Sequence, residues 1–236
     1  MRTILCTFCA LSLIYSSIAY SQQGLQGDPE AVALIDKLLE RLGGKEVWAR
    51  TRTLYLEYHG WRKNPAQPVI ERAWRDLQQP NQRMEFEGTT SDVVLVFTPE
   101  SSWVSRDGVV EQRAEKALDS DLEFWPYDFY TIIHNLAVAD PRIRLSFEAP
   151  MRVSISSIEG DDWGWWEIDS TGAPIRWGAS FEGDPLEYIY GPVKSYGNIN
   201  FPAWGTAIDG FWRFEYVDVD VSLQPVPSSY LEAPTQ

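Results

Sequence analysis

Hydrophobic residues recur at helical spacing near the start of the folded part of the chain. The preceding Asp-Pro-Glu at positions 28–30 supplies a capping residue, a proline suited to the first helical position and an acid near the positive end of the helix dipole. Gly43 and Gly44 provide a stop signal. The pattern predicts an amphipathic helix over residues 29–42, whose apolar face carries Ala31, Leu34, Ile35, Leu38 and Leu42.

From Thr53 onward the period of the pattern changes from helical to two. Apolar and polar residues alternate over short segments, and Pro, Gly, Asn or Asp bounds each segment, as is typical of β-strands joined by turns. The pattern predicts about eleven strands in an antiparallel meander. The first strand begins at Thr53, and the others cover residues 69–75, 83–87, 92–97, 101–105, 143–147, 152–158, 163–169, 174–181, 186–190, 200–208 and 211–221.

A second helical pattern interrupts the strands between about residues 110 and 138. No internal repeat and no Ser/Gly-rich linker divides the chain. We therefore expect a single domain over residues 22–236 that contains this helical insert. Its apolar stripe follows Trp125-Pro126 and consists of Phe129, Ile132, Ile133, Leu136 and Ala137.

Several predicted strands are apolar on both faces. In one of them Val93, Leu95 and Phe97 point to one side, while Val94 and Val96 point to the other. A long antiparallel sheet of this kind is expected to curl, so that one face packs inward. We predict a mainly β fold with helices (α+β), in which a curled antiparallel sheet forms a half-open barrel closed by the N-terminal helix and the helical insert.

The first 21 residues have the pattern of a secretory signal peptide. Arg2 precedes an apolar run over residues 4–18, and Ala19-Tyr20-Ser21 has the small-x-small form of a cleavage site. The alternative, a membrane anchor, requires roughly 20 apolar residues, which is more than this run provides. We expect cleavage after Ser21 and a periplasmic or secreted protein without a transmembrane segment. Cys6 and Cys9 leave with the signal, so no disulfide is expected.

Composition narrows the classes of partner. The sequence has 20 Lys and Arg residues against 34 Asp and Glu residues, which gives a formal net charge of −14 at pH 7. Such a surface repels the phosphate backbone, so we expect no nucleic-acid partner. The aromatic content is 14%, with 11 tryptophans, and concave sites lined with rings and aliphatic chains are the usual form of a small-molecule pocket.

Few residues offer catalytic chemistry. The two histidines, His59 and His134, have no metal-ligand spacing, and the mature chain has no cysteine. The carboxylate pair Asp161-Asp162 has the composition of a turn, and Asp218 and Asp220 keep one strand face polar. We expect no enzymatic activity, no metal site and no cofactor.

Three segments resemble a known family. They are "LLERLGGKEVWARTRTLYLEYHG", "ESSWVSRDG" and the ending "GNINFPAWGTAIDGFWRFEYVDVDVSLQPVPSSYLEAP". Together they resemble the LolA/LolB-like superfamily of outer-membrane lipoprotein-sorting carriers. The resemblance implies a half-open antiparallel barrel closed by helices, whose interior binds lipid or lipoprotein acyl chains. It also implies an interior arginine that ties the helices to the barrel, for which Arg72 and Arg75 are the two candidates.

Three functions remain open from the sequence. The first is an exported lipid or lipoprotein carrier with a cavity lined by apolar residues of the strands and of the insert. The second is a carbohydrate-binding or carbohydrate-processing protein that uses Trp163, Trp165 and Trp166 as stacking platforms. The third is a structural envelope protein whose sheet edges contact an envelope partner. For the first function, the predicted lining residues are Leu54, Leu56, Trp74, Met84, Phe86, Leu95, Phe97, Trp103, Phe129 and Ile133.

Overall fold

The computed structural model describes residues 24–63, 68–88 and 91–234. The predicted signal peptide, with both cysteines and its cleavage site, lies outside the described residues. The described helices are α1 (Pro29–Arg41), α2 (Lys45–Arg50), α3 (Glu115–Phe124), α4 (Phe129–Ala137) and α5 (Ser228–Leu231), and a 3₁₀ turn at Trp125–Tyr127 joins α3 to α4. None of these helices has the length and the apolar character needed to cross a membrane.

The described residues also form sixteen strands. They are β1 (Gln26–Gly27), β2 (Thr53–Arg62), β3 (Val69–Asp76), β4 (Gln82–Glu87), β5 (Val93–Phe97), β6 (Ser102–Arg106), β7 (Val109–Gln112), β8 (Ile143–Ala149), β9 (Arg152–Ser157), β10 (Asp162–Ile168), β11 (Pro174–Phe181), β12 (Asp184–Tyr190), β13 (Val193–Tyr196), β14 (Ile199–Pro202), β15 (Trp204–Ala207) and β16 (Trp212–Ser222).

One large sheet contains fourteen of these strands, in the order β1-β8-β9-β10-β11-β12-β15-β16-β2-β3-β4-β5-β6-β7. All neighbours in this sheet are antiparallel except β1 and β8. The last strand, β16, pairs along β2, with Ser222 opposite Thr53. The edge strands β1 and β7 do not pair with each other in the described chain, so the structure is a large curled sheet that is not closed into a barrel.

The strand count is higher than the pattern predicted. The segment Val109–Gln112 is strand β7, although the helical insert was expected to begin there. The predicted strand at residues 200–208 is divided into β14 and β15, because β14 belongs to a separate hairpin with β13. Strand β1 has only two residues, which is too short to give a periodic signal.

The inner face of the large sheet packs against helix α4. Leu54, Leu56 and Tyr58 of β2 point to this face and are buried. Every residue of α4 except Tyr130 is buried as well. The insert therefore consists of two different parts: α3, which has no buried residue, and α4, which is a core helix.

Two polar contacts fix the ends of α4. Asp128 caps its N-terminus by accepting hydrogen bonds from the backbone N–H groups of Tyr130 and Thr131, at 2.7 and 3.1 Å. Near its C-terminus, Nδ1 of His134 lies 2.8 Å from the carbonyl oxygen of Trp48 in α2. Burial lowers the pKa of His134, so this imidazole is neutral at pH 7.

The C-terminal segment covers the outer face of β3 to β6. The Tyr230 ring of α5 packs edge-on against Trp74, with ring centroids 5.3 Å apart. Nε1 of Trp103 donates a hydrogen bond to the Leu231 carbonyl oxygen at 3.1 Å, and Nη1 of Arg83 donates one to the Tyr230 carbonyl oxygen at 2.9 Å. This cover explains why these strands are apolar on both faces.

Candidate functional site

A chamber of about 170 Å³ lies at the inner face of the sheet, beside the N-terminal end of α4. Aromatic rings form nine of its twelve lining residues. Six rings come from the strands: Tyr58, Trp177, Tyr188, Tyr190, Trp212 and Phe214. Three more come from the helical insert: Phe124, Phe129 and Tyr130. We call this space the chamber.

Strand alternation places these rings on one face. In β16, Trp212 and Phe214 are two residues apart and both point inward, as do Tyr188 and Tyr190 in β12. Glycines leave room for two of the rings, because the Trp212 ring lies over Gly60 and the Phe214 ring lies over Gly205. A Cβ atom at either glycine would collide with the ring above it.

The rings contact one another around the chamber. The centroids of Trp177 and Tyr188 are 6.2 Å apart in a stacked arrangement, and those of Tyr188 and Phe214 are 5.8 Å apart. The centroids of Phe129 and Tyr190 are 4.7 Å apart. Such contacts hold each ring against its neighbours, so the chamber wall is rigid.

Arg75 is the only basic residue in the chamber wall. Its Nη1 donates a hydrogen bond to Oε1 of Gln82 at 2.8 Å and lies 3.8 Å from Oδ2 of Asp128. Its guanidinium carbon lies 4.5 Å from the centre of the Tyr130 ring, which is a cation–π contact. Its Nε is buried without a hydrogen-bond partner. Burial disfavours the charged form of Arg75, but its electrostatic interactions with Asp128 first, and then with Tyr130, Tyr58 and Glu71, outweigh burial and raise its pKa.

Two carboxylates, those of Asp128 and Glu71, lie on the same side of the sheet as Arg75. Asp128 lines the chamber and also accepts a hydrogen bond from Oγ1 of Thr131 at 3.0 Å. Glu71 is buried, with 4% of its surface exposed, on the same face of β3 as Arg75, and it forms a hydrogen bond with Tyr58. The described residues of this part of the inner face therefore include Arg75, Asp128 and Glu71 as charged groups.

The tyrosine hydroxyls of the chamber stay protonated at neutral pH. Burial raises the pKa of Tyr188 to about 12. Burial also raises the pKa values of Tyr58 and Tyr190 well above their usual range. These phenols therefore contribute no charge to the chamber, and their rings keep the negative faces of neutral aromatics.

A surface groove of about 310 Å³ lies beside the chamber. The two spaces share Leu186, Tyr188 and Trp212 as lining residues. The groove is also lined by Ile208 and Phe211, which are 55% and 56% exposed, and by the acidic residues Glu187 and Asp209. The chamber and the groove are therefore neighbours, and the groove combines apolar and acidic residues.

The structure places the predicted lining residues in four groups. Phe129 lines the chamber. Leu54, Leu56 and Ile133 are fully buried in the core beside it. Met84, Phe86, Leu95 and Phe97 lie on the inner face of β4 and β5 and do not line the chamber, although Sδ of Met84 lies 3.9 Å from Nη2 of the lining residue Arg75.

Trp74 and Trp103 lie on the opposite, outer face, under α5. The register also separates the two candidate arginines. Arg75 is opposite the inward-facing Leu54, whereas Arg72 is opposite Glu57 and forms ion pairs with Glu57 and Glu87 on the outer face, at 3.1 and 2.9 Å. Of the two, Arg75 contacts the helical insert.

The three tryptophans of β10 do not form one platform. Trp166 points inward and is fully buried, while Trp163 stacks on Tyr127 with ring centroids 5.8 Å apart. Trp165 lies on the outer face, where the guanidinium of Arg152 covers its ring at 3.9 Å. No flat face shared by all three is left for a sugar.

The strand-borne rings of the chamber were missed by the sequence prediction, although a signal for them exists. Aromatic residues occur at alternate positions 212, 214 and 216 and at positions 188 and 190. Such spacing puts all the rings of a strand on one face. The described residues contain no group of three or more His, Cys, Asp or Glu side chains placed to bind a metal.

No protein-family model matches the sequence, and no curated protein matches it either. The structure is similar to that of a DUF1329 family protein from Desulfovibrio piger, with a TM-score of 0.50 and 9% identity over 86% of this chain and 97% of that protein. At this identity the similarity shows the fold alone, and it agrees with the curled sheet and helices that the family resemblance implied.

Two further solved structures match at lower TM-scores. An uncharacterized conserved protein from Thermus thermophilus has a TM-score of 0.38 and 12% identity over 86% of this chain and 92% of that protein. MucB has a TM-score of 0.33 and 13% identity over 88% of this chain, which spans 64% of the length of MucB. MucB from Pseudomonas aeruginosa has also been solved in complex with MucA.

Proposed function

We propose that the protein is an exported, non-catalytic carrier that works in the periplasm and binds a hydrophobic ligand, such as the acyl chain of a lipid or lipoprotein. The observation that carries this proposal is the ring-lined chamber together with the neighbouring groove, where Ile208 and Phe211 are exposed. The fold, the signal-like N-terminus and the acidic composition fit an exported binding protein.

The size of the chamber determines how a ligand is placed. Pockets for drug-sized ligands usually measure about 300–1,000 Å³. The chamber, at about 170 Å³, accepts only one end of an acylated molecule, and the groove of about 310 Å³ accepts the adjoining part. Burial of each methylene group of an acyl chain contributes about 0.8 kcal/mol to binding, so burial of several methylene groups drives the binding of the ligand.

The other two hypotheses have less support. The sugar hypothesis relied on a tryptophan platform, and Arg152 and Tyr127 cover the two tryptophans that are not in the core. An envelope partner remains a prediction, as does the absence of enzymatic activity.

The test is a titration of the purified protein with a neutral fluorescent acyl ester. We expect binding in the micromolar range that unlabelled lipid reverses and salt leaves unchanged, because the contacts are apolar. Leu186→Asn places a polar group in the wall shared by chamber and groove, so we expect at least a tenfold loss of affinity.

Leu95→Asn is the matched control, because Leu95 lies on the inner face outside the chamber. It should leave the affinity unchanged, and a thermal melt of each variant separates loss of binding from loss of folding. A loss of affinity in Leu95→Asn alone would move the ligand to β4 and β5. Native mass spectrometry that finds a bound sugar, or a failure to bind any acyl probe, would reject the carrier proposal.

A further inference from the structure

One row of side chains crosses the outer face of the sheet from β2 to β7. The strand registers place its members directly opposite one another: Tyr55, Trp74, Arg83, Val96, Trp103 and Gln112. We call it the outer row. Val96 and Trp103 are only 1% and 4% exposed, although they lie on the outer face. The row beside it is charged at Glu57, Arg72 and Glu85. The outer row is therefore a mainly apolar strip that another part of the chain covers.

The cover is the C-terminal segment, residues 223–234. Three side chains of the sheet donate hydrogen bonds to backbone carbonyl oxygens of this segment. The bonds run from Oγ1 of Thr53 to Gln224 at 2.7 Å, from Nη1 of Arg83 to Tyr230 at 2.9 Å and from Nε1 of Trp103 to Leu231 at 3.1 Å. Every peptide has backbone carbonyl groups, so another peptide in the same conformation can satisfy the same donors.

The segment covers buried residues but is itself bound at the surface. Val226 is the one buried residue among the described residues 223–234, and helix α5 has no buried residue. Tyr230 is 40% exposed. Parts of a protein that bury few apolar contacts open locally at a small fraction of the free energy of global unfolding. The segment is therefore expected to leave the outer row far more easily than the sheet unfolds.

The backbone on both sides of α5 is extended. Pro227 has φ −57° and ψ 135°, and Glu232 has φ −77° and ψ 137°, which are close to polyproline II values. Pro225 fixes a further φ angle two positions before Pro227. Grooves lined with aromatic rings bind such segments, because a preformed extended backbone loses little conformational entropy. The outer row supplies the rings and the indole N–H donor that this mode of binding uses.

We propose that the outer row is a peptide-binding site, which the C-terminal segment occupies in the free protein and which a proline-containing segment of a partner protein enters by displacing it. The contacts of the resident segment define this partner. An aromatic residue takes the place of Tyr230, whose ring centroid lies 5.3 Å from that of Trp74 and 5.9 Å from the guanidinium carbon of Arg83. An aliphatic residue follows it in the place of Leu231. The site does not depend on the carrier proposal, because the outer row and the chamber lie on opposite faces of the sheet.

The test uses the full chain and a fluorescein-labelled peptide with the sequence of residues 223–234, whose binding is measured by fluorescence anisotropy. The tethered segment competes with this peptide at an effective concentration on the order of millimolar, so the wild-type protein should bind it weakly. Tyr230→Ala weakens the tethered segment and leaves the outer row intact. We expect this variant to bind the peptide at least tenfold more tightly than the wild type does. A peptide that carries the same change should not bind.

Two tryptophan variants, each combined with Tyr230→Ala, locate the binding. Trp103→Phe removes the indole N–H that bonds to the segment and keeps an aromatic ring, so it should lower the affinity for the peptide at least fivefold. Trp165→Phe is the matched control, because Trp165 lies on the outer face of β10, outside the outer row, and it should leave the affinity unchanged. Thermal melts identify any variant that does not fold, and Leu231→Ala replaces Tyr230→Ala in that case.

Four outcomes would overturn the peptide site. Equal affinity of the wild type and Tyr230→Ala for the peptide would mean that the peptide binds elsewhere. Absence of binding to Tyr230→Ala would make the segment a fixed part of the fold. Equal losses of affinity in Trp103→Phe and Trp165→Phe would exclude the outer row as the location. A wild-type dimer in gel filtration that Tyr230→Ala converts to a monomer would replace the partner protein by the segment of a second copy.

Discussion

The inner face of the sheet has two wings of different chemistry. The N-terminal wing, formed by β3 to β6, presents aliphatic, polar and charged residues with only two rings, Phe86 and Phe97, among its described residues. Its aliphatic residues include Ala73, Met84, Leu95 and Val104. The C-terminal wing, formed by β10, β11, β12, β15 and β16, presents rings. The inward-facing rings of this wing include Trp166, Trp177, Phe181, Tyr188, Tyr190, Trp212, Phe214 and Tyr216.

The chamber lies against the C-terminal wing, and the difference between the wings explains why. Unbranched and aliphatic side chains adapt to irregular gaps, and methionine does so best. A ring is a rigid plate, so a set of rings held in place by mutual contacts leaves space that none of them can enter. The rings of this wing therefore leave a cavity between them and the helical insert.

The largest expected effect is a difference in the free energy of unfolding between substitutions on the two faces of the C-terminal wing. Trp166 points inward with 0% exposure, and its neighbour Trp165 points outward between Arg152 and Arg176. We expect Trp166→Ala to lower the free energy of unfolding by about 3–5 kcal/mol, because a large cavity opens in the core. Trp165→Ala should cost about 1 kcal/mol, mainly the lost cation–π contacts. Urea denaturation of both variants measures the difference, and equal costs would contradict the assignment of faces.

A second, smaller effect tests whether the ring positions define the chamber. Gly205 lies under the Phe214 ring on the inner face, and Gly178 lies under the Trp165 ring on the outer face. Either change to alanine should cost about 1–3 kcal/mol, because the new Cβ atom displaces a ring. Only Gly205→Ala pushes a ring of the chamber, so only this variant should weaken binding of the acyl ester probe. A loss of probe affinity in Gly178→Ala as large as that in Gly205→Ala would contradict this picture.

The smallest effect concerns alkaline pH and the phenols of the C-terminal wing. The folded-state pKa of Tyr188 is raised to about 12 by burial, while an unfolded tyrosine ionises near about 10. Above pH 10 the unfolded state releases protons first, so stability falls as pH rises from 10 to 12. Between pH 9 and pH 11 the wild-type protein should lose about 1 kcal/mol more than Tyr188→Phe. Denaturant titrations at the two pH values, with pH 7 as the reference, measure this; equal losses would place Tyr188 in water.

The individual helices and strands could be predicted from the sequence better than the pairing between strands. Alternation around Leu54 and Leu56 and the helical stripe from Phe129 to Ala137 are properties of single segments, and the structure confirms both. The helix predicted over residues 29–42 ends at Arg41, and Leu42 is its C-terminal cap. The residues that share the inner face of the sheet could not be predicted in this way, because the pairing of β16 with β2 joins residues that lie far apart in the chain.

Two features of the structure prevented the inner and outer faces of the sheet from being predicted from the sequence. The helix α5 covers Trp74 and Trp103, so an apolar residue in β3 to β6 does not reveal which side is interior. In β16 an irregularity between Tyr216 and Asp218 shifts the register, so Tyr216 and Val219 are both buried although they are three residues apart. A strict period of two cannot follow such a shift.

The pairing of β16 with β2 has a consequence for the order in which the protein folds. The neighbouring strands β2 to β7 form local hairpins, which close in microseconds because the loops between them are short. The long β2–β16 ladder cannot form until Trp212–Ser222, in about the last tenth of the sequence, is present, and such non-local pairing slows folding. Until then, β2 and β16 each expose an edge of unpaired backbone groups together with side chains that are buried in the folded protein. The sheet therefore assembles as two incomplete halves, and pairing of β2 with β16 joins them late in folding.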